Sequence, residues 1–408
     1  MKQTRNYYSI FIFARFAGLV SKPLFLFLLT YFSFHEASLN YAKLIICLVS
    51  VYSIFKLPVH IDFYRNEFAE SGDKKSSIKL TQDKYIFRVF NITFSLLPLI
   101  FIFCSIIFLD IFYGVLVALI LLSEKLYDEV SRFQQYKKYF LTWSVLFLAK
   151  TYLPFIATVV LGLMINTNHI FTIFLINTIV FNIILTLTLS HFKLNTKVKY
   201  FYKTGLSFFI TFRKIINEQG LRYVFLVLSA FFFQIDRLFV TLIYESQNLT
   251  ELTAMAQIFN LMPIAIGYIY IHNNKAAFTR NNKDFLVQIF QLRIFFIMFL
   301  FMILSSLVIF YQYFYFSWNN YLDIQYVLFY LLAFSILAFD LIYNEYQMWN
   351  EEPKNLVFIE SVALIVFFTI GFLLGVNYVT FAFFIASLVK LLMHIALSKK
   401  SSNPTTSL

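Results

Sequence analysis

Three polar residues interrupt an apolar run in the middle of the chain. Gln234, Asp236 and Arg237 lie in a stretch that begins near Leu221 and ends near Tyr244, which is long enough to span a bilayer. A charge at the bilayer centre costs at least about 2.5–3.5 kcal/mol, so such side chains usually face a protein interior or a water-filled cavity. Asp236 and Arg237 are therefore either an ion pair that joins two helices or part of a polar path across the membrane.

Basic residues also interrupt the first apolar run. Arg15 and Lys22 lie seven positions apart, which places them on one face of a helix. Because the second half of the chain supplies Arg237 near a matching position, we expect these three cations to line a cavity. Arginine and lysine neutralise phosphate oxygens where water is scarce, so the expected ligand is an anion such as a phosphate or diphosphate.

Charged residues inside other apolar runs are secondary candidates. For most of the cations we expect the side chain to extend to the cytoplasmic headgroups, whereas the mid-helix Lys150 is undecided. The residues expected to reach the headgroups are Lys56, Arg293 and Lys390.

Carboxylates inside apolar runs are fewer than cations, and they are Asp236, Asp340 and Glu360. Asp236 and Glu360 are the first candidates for binding a coupling cation or proton. The alternative role of Asp236 is to neutralise Arg237 or Lys22. A separate acidic stripe, which includes Glu124 and Asp128 at helical spacing, is more typical of a solvated helix face than of a cavity.

The composition is that of a membrane protein. Of the 408 residues, 60% are hydrophobic and 13% are charged, against about 25% charged in soluble domains. The two cysteines and six histidines show no metal-ligand spacing, and no glycine-rich phosphate loop or nucleophile motif is present. We therefore expect no metal site, no catalytic site and no cofactor.

The apolar runs predict an all-α integral membrane protein with about twelve spans of roughly 20 residues each. They lie near 7–32, 40–60, 86–109, 110–130, 139–163, 169–190, 218–244, 250–272, 285–311, 323–346, 355–376 and 377–398.

The loops alternate in charge. Those near 33–39, 164–168, 245–249, 312–322 and 375–377 contain no Lys or Arg, whereas the alternate loops are basic. The positive-inside rule then places both termini in the cytoplasm. The net charge of +12 is expected to face anionic inner-leaflet lipid rather than nucleic acid.

A weak internal repeat divides the chain into two halves. A shift of about 212 residues lays 24–32 on 236–244, and both halves begin on the same side of the membrane, which predicts parallel repeats. The expected domains are six-helix lobes at 1–190 and 218–398, a basic cytoplasmic linker with an interfacial helix at 191–217, and a tail at 399–408.

Two stretches resemble the flippases of polysaccharide repeat units in the multidrug/oligosaccharidyl-lipid/polysaccharide exporter superfamily. The first is FARFAGLVSKPLFLFLLTYF and the residues that follow it, which are similar to the opening helix pair of those proteins. The second begins at GLRYVFLVLSAFFFQIDRLFV and is similar to their seventh and eighth helices. In that family a glycine precedes an Asp-Arg pair by about sixteen residues, as Gly220 precedes Asp236 and Arg237 here.

The resemblance implies two parallel six-helix lobes around a central cavity lined chiefly by helices one, two, seven and eight. Such proteins move undecaprenyl-diphosphate-linked oligosaccharide from the inner to the outer leaflet of the bacterial cytoplasmic membrane by alternating access. The implied partners are that substrate, membrane lipid and other polysaccharide-assembly membrane proteins. The family's cavity cations map onto Arg15, Lys22 and Lys56, and its helix-seven aspartate maps onto Asp236. Glu360 is a looser match for coupling to H⁺ or Na⁺.

Two other functions compete with this one. A drug/cation antiporter of the same superfamily should have an acid-rich, aromatic cavity, but embedded bases outnumber embedded acids here. A membrane polysaccharide polymerase or lipid-dependent glycosyltransferase needs sizeable outer loops with Arg or acidic catalytic residues. The outer loops of this chain are short and carry neither Lys nor Arg, which disfavours an enzyme.

Overall fold

The computed structural model describes residues 2–32, 34–54, 96–136, 140–165, 169–190, 205–243, 249–266, 298–300, 302–307, 324–350 and 352–401. These residues form α-helices joined by turns, with one short 3-10 segment and no strand among them. The protein is therefore all-α in its described part, as its composition predicts.

The helices are numbered here in chain order. They are α1 Lys2–Tyr31, α2 His35–Ile54, α3 Ile111–Tyr136, α4 Phe140–Ile165, α5 Ile170–Ser190, α6 Gly205–Phe232, α7 Ile235–Ile243, α8 Leu249–Phe259, α9 Leu261–Ile266, α10 Ile324–Asn350, α11 Pro353–Leu374 and α12 Val379–Ser401. Two shorter apolar helices lie at Leu96–Phe108 and Met298–Leu307, and the 3-10 segment Val376–Tyr378 joins α11 to α12.

Six described helices, α1, α4, α5, α10, α11 and α12, contain apolar stretches long enough to cross a bilayer. The bent pair formed by α6 and α7 would make a seventh span. The chain is thus a multi-pass helical membrane protein. Parts of the predicted spans near 40–60, 86–109, 250–272 and 285–311 lie outside the described residues.

The chain divides into two compact units. The N-terminal unit consists of Met1–Phe25 and Phe34–Val227, and the C-terminal unit consists of Leu26–Ser33 and Leu228–Leu408. The predicted lobes of 1–190 and 218–398 place the division in the basic linker, whereas in the structure the second unit begins within α6. Helix α6 is continuous from Gly205 to Phe232, so the segment expected to form a separate interfacial helix is part of the same helix as the start of the next span.

An aromatic group holds four helices of the N-terminal unit together. The ring of Phe25 on α1 lies 4.8 Å from Tyr41 on α2, 3.8 Å from Phe155 on α4 and 4.7 Å from Phe174 on α5, measured between centroids. Phe25 is 1% exposed, so the ring is buried against all three partners. Such pairs add about 0.5–1.5 kcal/mol each beyond burial.

Helices α1 and α4 approach closely at Gly18. A Cβ atom at this position would lie 2.3 Å from the Phe147 ring, so only glycine fits without displacing that ring. The Tyr152 hydroxyl of α4 donates a 2.6 Å hydrogen bond to the carbonyl oxygen of Ala17. This close contact sets the distance from α1 to the aromatic side chains of α4.

Helices α10, α11 and α12 form the main bundle of the C-terminal unit. Phe334 of α10 packs on Phe383 of α12 with ring centroids 5.7 Å apart, and Phe232 at the end of α6 packs on the same ring at 5.6 Å. Phe239 of α7 lies 5.6 Å from Phe367 of α11. The end of α6 and the whole of α7 are thereby fixed to this bundle.

The sequence predicts one continuous helix at 218–244. In the structure this span is broken into two helices. Helix α6 ends at Phe232, α7 begins at Ile235, and their axes differ by 69°. At the break the backbone N–H of Gln234 donates to the Phe231 carbonyl oxygen at 2.9 Å, which tightens the last turn of α6. Neither proline nor glycine is present at 230–237, so composition gives no sign of the bend.

The turn between α11 and α12 depends on Gly375. Its φ is 80° and its ψ is −179°, a backbone conformation that is essentially restricted to glycine. Its N–H donates to the Gly371 carbonyl oxygen at 2.9 Å and closes α11. No atom lies within 4 Å of where a Cβ would stand, so any penalty for a side chain comes from the backbone alone.

We predict that Gly375→Ala destabilises the folded protein by about 1–3 kcal/mol, because alanine strains this φ/ψ combination. Thermal unfolding of the purified protein in detergent measures the effect. The matched control is Asn377→Ala in the same turn, which should change stability by less than about 0.5 kcal/mol since Asn377 is exposed. Equal effects of the two substitutions would contradict the backbone explanation.

Candidate functional site

The break between α6 and α7 brings Asp236 and Arg237 together. Both residues are fully buried, and Arg237 Nε lies 3.3 Å from Asp236 Oδ1. Arg237 Nη2 also donates to the carbonyl oxygen of Phe233, which the bend has removed from regular helical pairing. Asp236 lies in the first turn of α7, where the helix dipole favours a negative charge. The ion pair therefore stabilises the break.

Gln234 lies at the break with its side chain fully buried. Within the described part of the chain, neither its amide nitrogen nor its amide oxygen has a hydrogen-bond partner, and the same holds for Asp236 Oδ2 and Arg237 Nη1. An unpaired buried polar group costs about 1–3 kcal/mol. The break thus presents donors and acceptors within an otherwise apolar span.

A buried group of ionisable residues connects three helices of the C-terminal unit. Lys390 Nζ on α12 lies 2.8 Å from Glu360 Oε1 on α11 and 3.1 Å from Asp340 Oδ2 on α10. His394, one turn after Lys390, places Nε2 at 3.6 Å from Asp340 Oδ1. All four residues are fully buried. They are called the C-terminal ion cluster below.

Neutral polar residues extend the C-terminal ion cluster. Gln347 of α10 donates from Nε2 to the His394 carbonyl oxygen at 2.8 Å, and its Oε1 contacts His394 Nδ1. Asn344 Nδ2 donates to Ser229 Oγ of α6 at 3.2 Å. These bonds hold α10 against both α12 and the last turns of α6. The ammonium of Lys390 also lies 4.9 Å from the Phe232 ring centroid, a cation–π distance.

The C-terminal ion cluster is not balanced in charge. With Lys390 protonated and His394 neutral, two carboxylates face one ammonium, so the cluster carries one formal negative charge in excess. The four side chains lie in stretches that are candidate membrane spans. An uncompensated charge is unfavourable inside a membrane span, so the excess negative charge favours the binding of a positively charged ion.

A second group of ionisable residues lies in the N-terminal unit. Lys150 Nζ of α4 is 3.7 Å from Glu124 Oε1 and 3.5 Å from Asp128 Oδ1, both on α3, and 4.6 Å from the Tyr127 ring centroid. The charges of these three residues also act on Lys22 of α1. The N-terminal ion cluster consists of Arg15, Lys22, Glu124, Asp128 and Lys150.

Arg15 joins the N-terminal ion cluster to an aromatic surface. Its guanidinium carbon lies 4.5 Å from the Trp143 ring centroid and 5.2 Å from that of Phe147. The two rings are stacked on each other with centroids 4.8 Å apart. Arginine over stacked rings keeps its planar orientation, and the Gly18 contact fixes the position of Phe147.

The internal repeat relates the two clusters. A shift of 212 residues lays Asp128 on Asp340 and Asn182 on His394. In the N-terminal unit, Asn182 of α5 donates to Ser123 Oγ of α3 at 3.2 Å, so an amide occupies the position that the second half gives to an imidazole.

The predicted site residues fall into distinct environments. Arg15, Lys22 and Lys150 belong to the N-terminal ion cluster, and Arg237 pairs with Asp236. Lys56 and Arg293 lie outside the described residues.

Three other placements differ from the sequence-based expectations. Lys390 is buried between Asp340 and Glu360 rather than extended towards the headgroups, because those carboxylates compensate its charge. From the sequence, Asp236 and Glu360 are the first candidates for binding a coupling cation or proton. In the structure, Glu360 forms an ion pair with Lys390 instead. The acidic stripe of α3 is partly buried against Lys150 rather than solvated.

Several residues of the clusters were not expected from the sequence. His394 follows Lys390 by four positions and Gln347 follows Asp340 by seven, spacings that place each pair on one helix face. That spacing is the signal that could have identified them. Trp143 and Ser229 have no comparable signal, since their roles depend on contacts between helices.

No protein-family model matches the sequence, and no curated protein or solved structure matches it either. Among the described residues, no group of three or more His, Cys, Asp or Glu side chains is arranged to hold a metal ion. The function is therefore argued from the geometry of the buried polar groups.

We predict that Lys390→Met destabilises the protein by about 3–5 kcal/mol, because it leaves two carboxylates buried without their counter-ion. The measurement is thermal unfolding of the purified protein in detergent, together with the yield of monodisperse protein. The matched control neutralises the whole cluster in Lys390→Met, Asp340→Asn and Glu360→Gln combined, and should recover most of the loss. A single variant as stable as wild type would show that the pairs carry no net charge compensation.

Proposed function

We propose that this protein is a flippase that carries a polyprenyl-diphosphate-linked oligosaccharide from the inner to the outer leaflet of the bacterial cytoplasmic membrane. The substrate is the kind of repeat unit from which O-antigen or capsule is assembled. The proposal includes about twelve spans in two six-helix lobes around a central cavity, and it places the chain with the polysaccharide-repeat flippases that it resembles. No enzymatic step is proposed.

The observation that carries the proposal is the broken span at Gln234. Irregular backbone at membrane depth is tolerated where it is buried in protein or lines a water-filled cavity, and broken helices are characteristic of transporters. A purely structural helix would pair the side-chain groups at such a break. Here Gln234, Asp236 and Arg237 each keep at least one polar atom without a partner in the described residues.

The charge of the N-terminal ion cluster supports an anionic substrate. Three of its members, Arg15, Lys22 and Lys150, are basic, and guanidinium and ammonium groups suit the phosphate oxygens of a lipid diphosphate. The stacked rings of Trp143 and Phe147 beside Arg15 provide an apolar surface next to that charge. A lipid headgroup that joins phosphate to sugar requires both kinds of surface.

The physics of the task agrees with such a site. A sugar headgroup cannot cross hydrocarbon unaided, because its hydroxyl groups would lose their hydrogen bonds to water. A polar path through the protein replaces those bonds. With the cell interior negative, outward movement of each negative charge is favoured by about 2.3 kcal/mol per 100 mV. The return of a basic site then benefits from coupling to H⁺ or Na⁺.

A drug/cation antiporter is the second candidate, and one observation favours it. The C-terminal ion cluster has one more carboxylate than it has cations, as a site for a cationic substrate would require. The two functions are separated by the substrate that is moved. Expression of an antiporter should raise resistance to cationic dyes, whereas expression of a flippase should leave that resistance unchanged.

We predict that deletion of the gene strands lipid-linked repeat units on the cytoplasmic face and removes the corresponding surface polysaccharide. Plasmid-borne wild-type protein should restore the polysaccharide. The measurement combines surface labelling of polysaccharide with extraction of the lipid-linked precursor. Normal surface polysaccharide in a deletion strain with no redundant flippase would rule the proposal out.

We predict that Lys22→Met lowers polysaccharide export by about tenfold to hundredfold, since a hydrogen bond to a charged group contributes about 1.5–3 kcal/mol. Lys22→Arg should retain most of the export. Lys354→Ala is the matched control, because this lysine is exposed and pairs only locally with Glu352. Membrane abundance is measured by immunoblot for all three variants. Reduced abundance of Lys22→Met in proportion to the lost export would indicate a structural role instead.

A further inference from the structure

The contact between Gln347 and His394 fixes the hydrogen positions on both side chains. The His394 carbonyl oxygen can only accept, so the Gln347 atom 2.8 Å away from it is the amide nitrogen. The Gln347 amide oxygen then faces His394 Nδ1. Because that oxygen can only accept, Nδ1 must carry the hydrogen.

This tautomer determines what His394 presents to Asp340. When Nδ1 carries the hydrogen, Nε2 of a neutral imidazole has a lone pair. Nε2 lies 3.6 Å from Asp340 Oδ1, which as a carboxylate oxygen also has only lone pairs. Both atoms are buried, and neither has a hydrogen-bond partner within the described residues. Two acceptors thus face each other with no hydrogen between them.

The charge of the C-terminal ion cluster also requires one additional proton. Lys390 remains an ammonium because it lies between Asp340 and Glu360, and among the described residues its single positive charge leaves one negative charge of the cluster without a counter-ion. One added proton makes the cluster neutral. The hydrogen-bond geometry and the charge balance therefore each call for one proton, and they do so independently.

We propose that Asp340 and His394 form a binding site for one exchangeable proton, held between Asp340 Oδ1 and His394 Nε2. The proton bonds covalently to one of these two atoms and is donated to the other, so no further reactant is needed. The ammonium of Lys390 occupies the space between Asp340 and Glu360, where a metal cation would otherwise compete.

The charges that act on the proposed site are those of its own cluster. Asp340 and Lys390 act on His394, and Glu360 interacts with both Lys390 and Asp340. Of the other described helices packed against α10 and α12, α7 carries Asp236 and Arg237, which pair with each other. Helix α8 carries Glu251, which is only partly buried.

The proton site stands on geometry alone, whereas its role as the coupling ion rests on the proposed function. In that role, the proton would be bound from one side of the membrane and released to the other as the protein alternates. Loss of the proton leaves a buried negative charge on α10. The helices that enclose it are then driven to rearrange or to admit water.

The test measures how many protons the purified full-length protein takes up in detergent when the pH is lowered, without any lipid-linked substrate. Ordinary carboxyl groups have lost their protons by about pH 5, and ordinary lysine, tyrosine and cysteine side chains take up the same number of protons in every variant when the pH is lowered from alkaline to neutral. A difference in proton uptake between variants over this range therefore reports the proposed site. Wild type is expected to take up one proton more than Asp340→Asn over this range. In that variant the amide of the new side chain supplies its own hydrogen to Nε2.

His394→Gln provides a second, independent variant, because its amide can donate a permanent hydrogen to Asp340. It should also take up one proton fewer than wild type, so one well-folded variant is sufficient for the test. Asp110→Asn is the control: it neutralises an exposed carboxylate outside both ion clusters, the asparagine oxygen can still accept the Phe112 backbone N–H, and the variant should match wild type.

The proposal is overturned if wild type takes up no more protons than Asp340→Asn and His394→Gln, or if Asp110→Asn loses the same proton. Titration in sodium instead of potassium salt should give the same count, and displacement of the proton by Na⁺ would also overturn it. Because no substrate is present, a negative result leaves the flippase proposal standing. A failed deletion test would equally leave the proton site standing.

Discussion

Compensation of buried charge inside apolar helices is the constraint on which the described structure depends. Hydrocarbon offers no water to solvate an ion, so each charged side chain must find its partner within the protein. Lys390 meets two carboxylates from two other helices, and Lys150 meets two from α3. Arg237 compensates both Asp236 and a carbonyl oxygen freed by the helix break. The charges thus fix which helices pack together and in what register.

The same constraint distinguishes polar groups that only hold helices together from polar groups that can bind a ligand. A site that only held helices together would be balanced in charge and fully hydrogen-bonded. In the C-terminal ion cluster two carboxylates face one ammonium, and Gln234 at the helix break has no partner in the described residues. The carboxylate in excess is the basis of the proposed proton site.

Hydropathy was sufficient to predict the class of protein and most of the described spans, because a span is a local property of about 20 residues. It also identified Asp236, Arg237, Asp340, Glu360 and Lys390 as embedded charges. It could not give their partners. Lys390 meets Asp340 across fifty positions, and only helix packing decides that contact. The break after Phe232 was missed because no proline or glycine marks it, and its causes are the side chains of Asp236 and Arg237.

The bend between α6 and α7 has a consequence for the lipid around it. As a straight helix, the 24 residues from Gly220 to Ile243 would rise about 36 Å. With α7 inclined at 69°, the residues from Gly220 to Ile243 rise only about 24 Å along the axis of α6, less than the roughly 30 Å hydrocarbon thickness. Such hydrophobic mismatch is relieved by thinning the adjacent leaflets. A thinner bilayer beside the break would shorten the distance that a lipid headgroup has to travel.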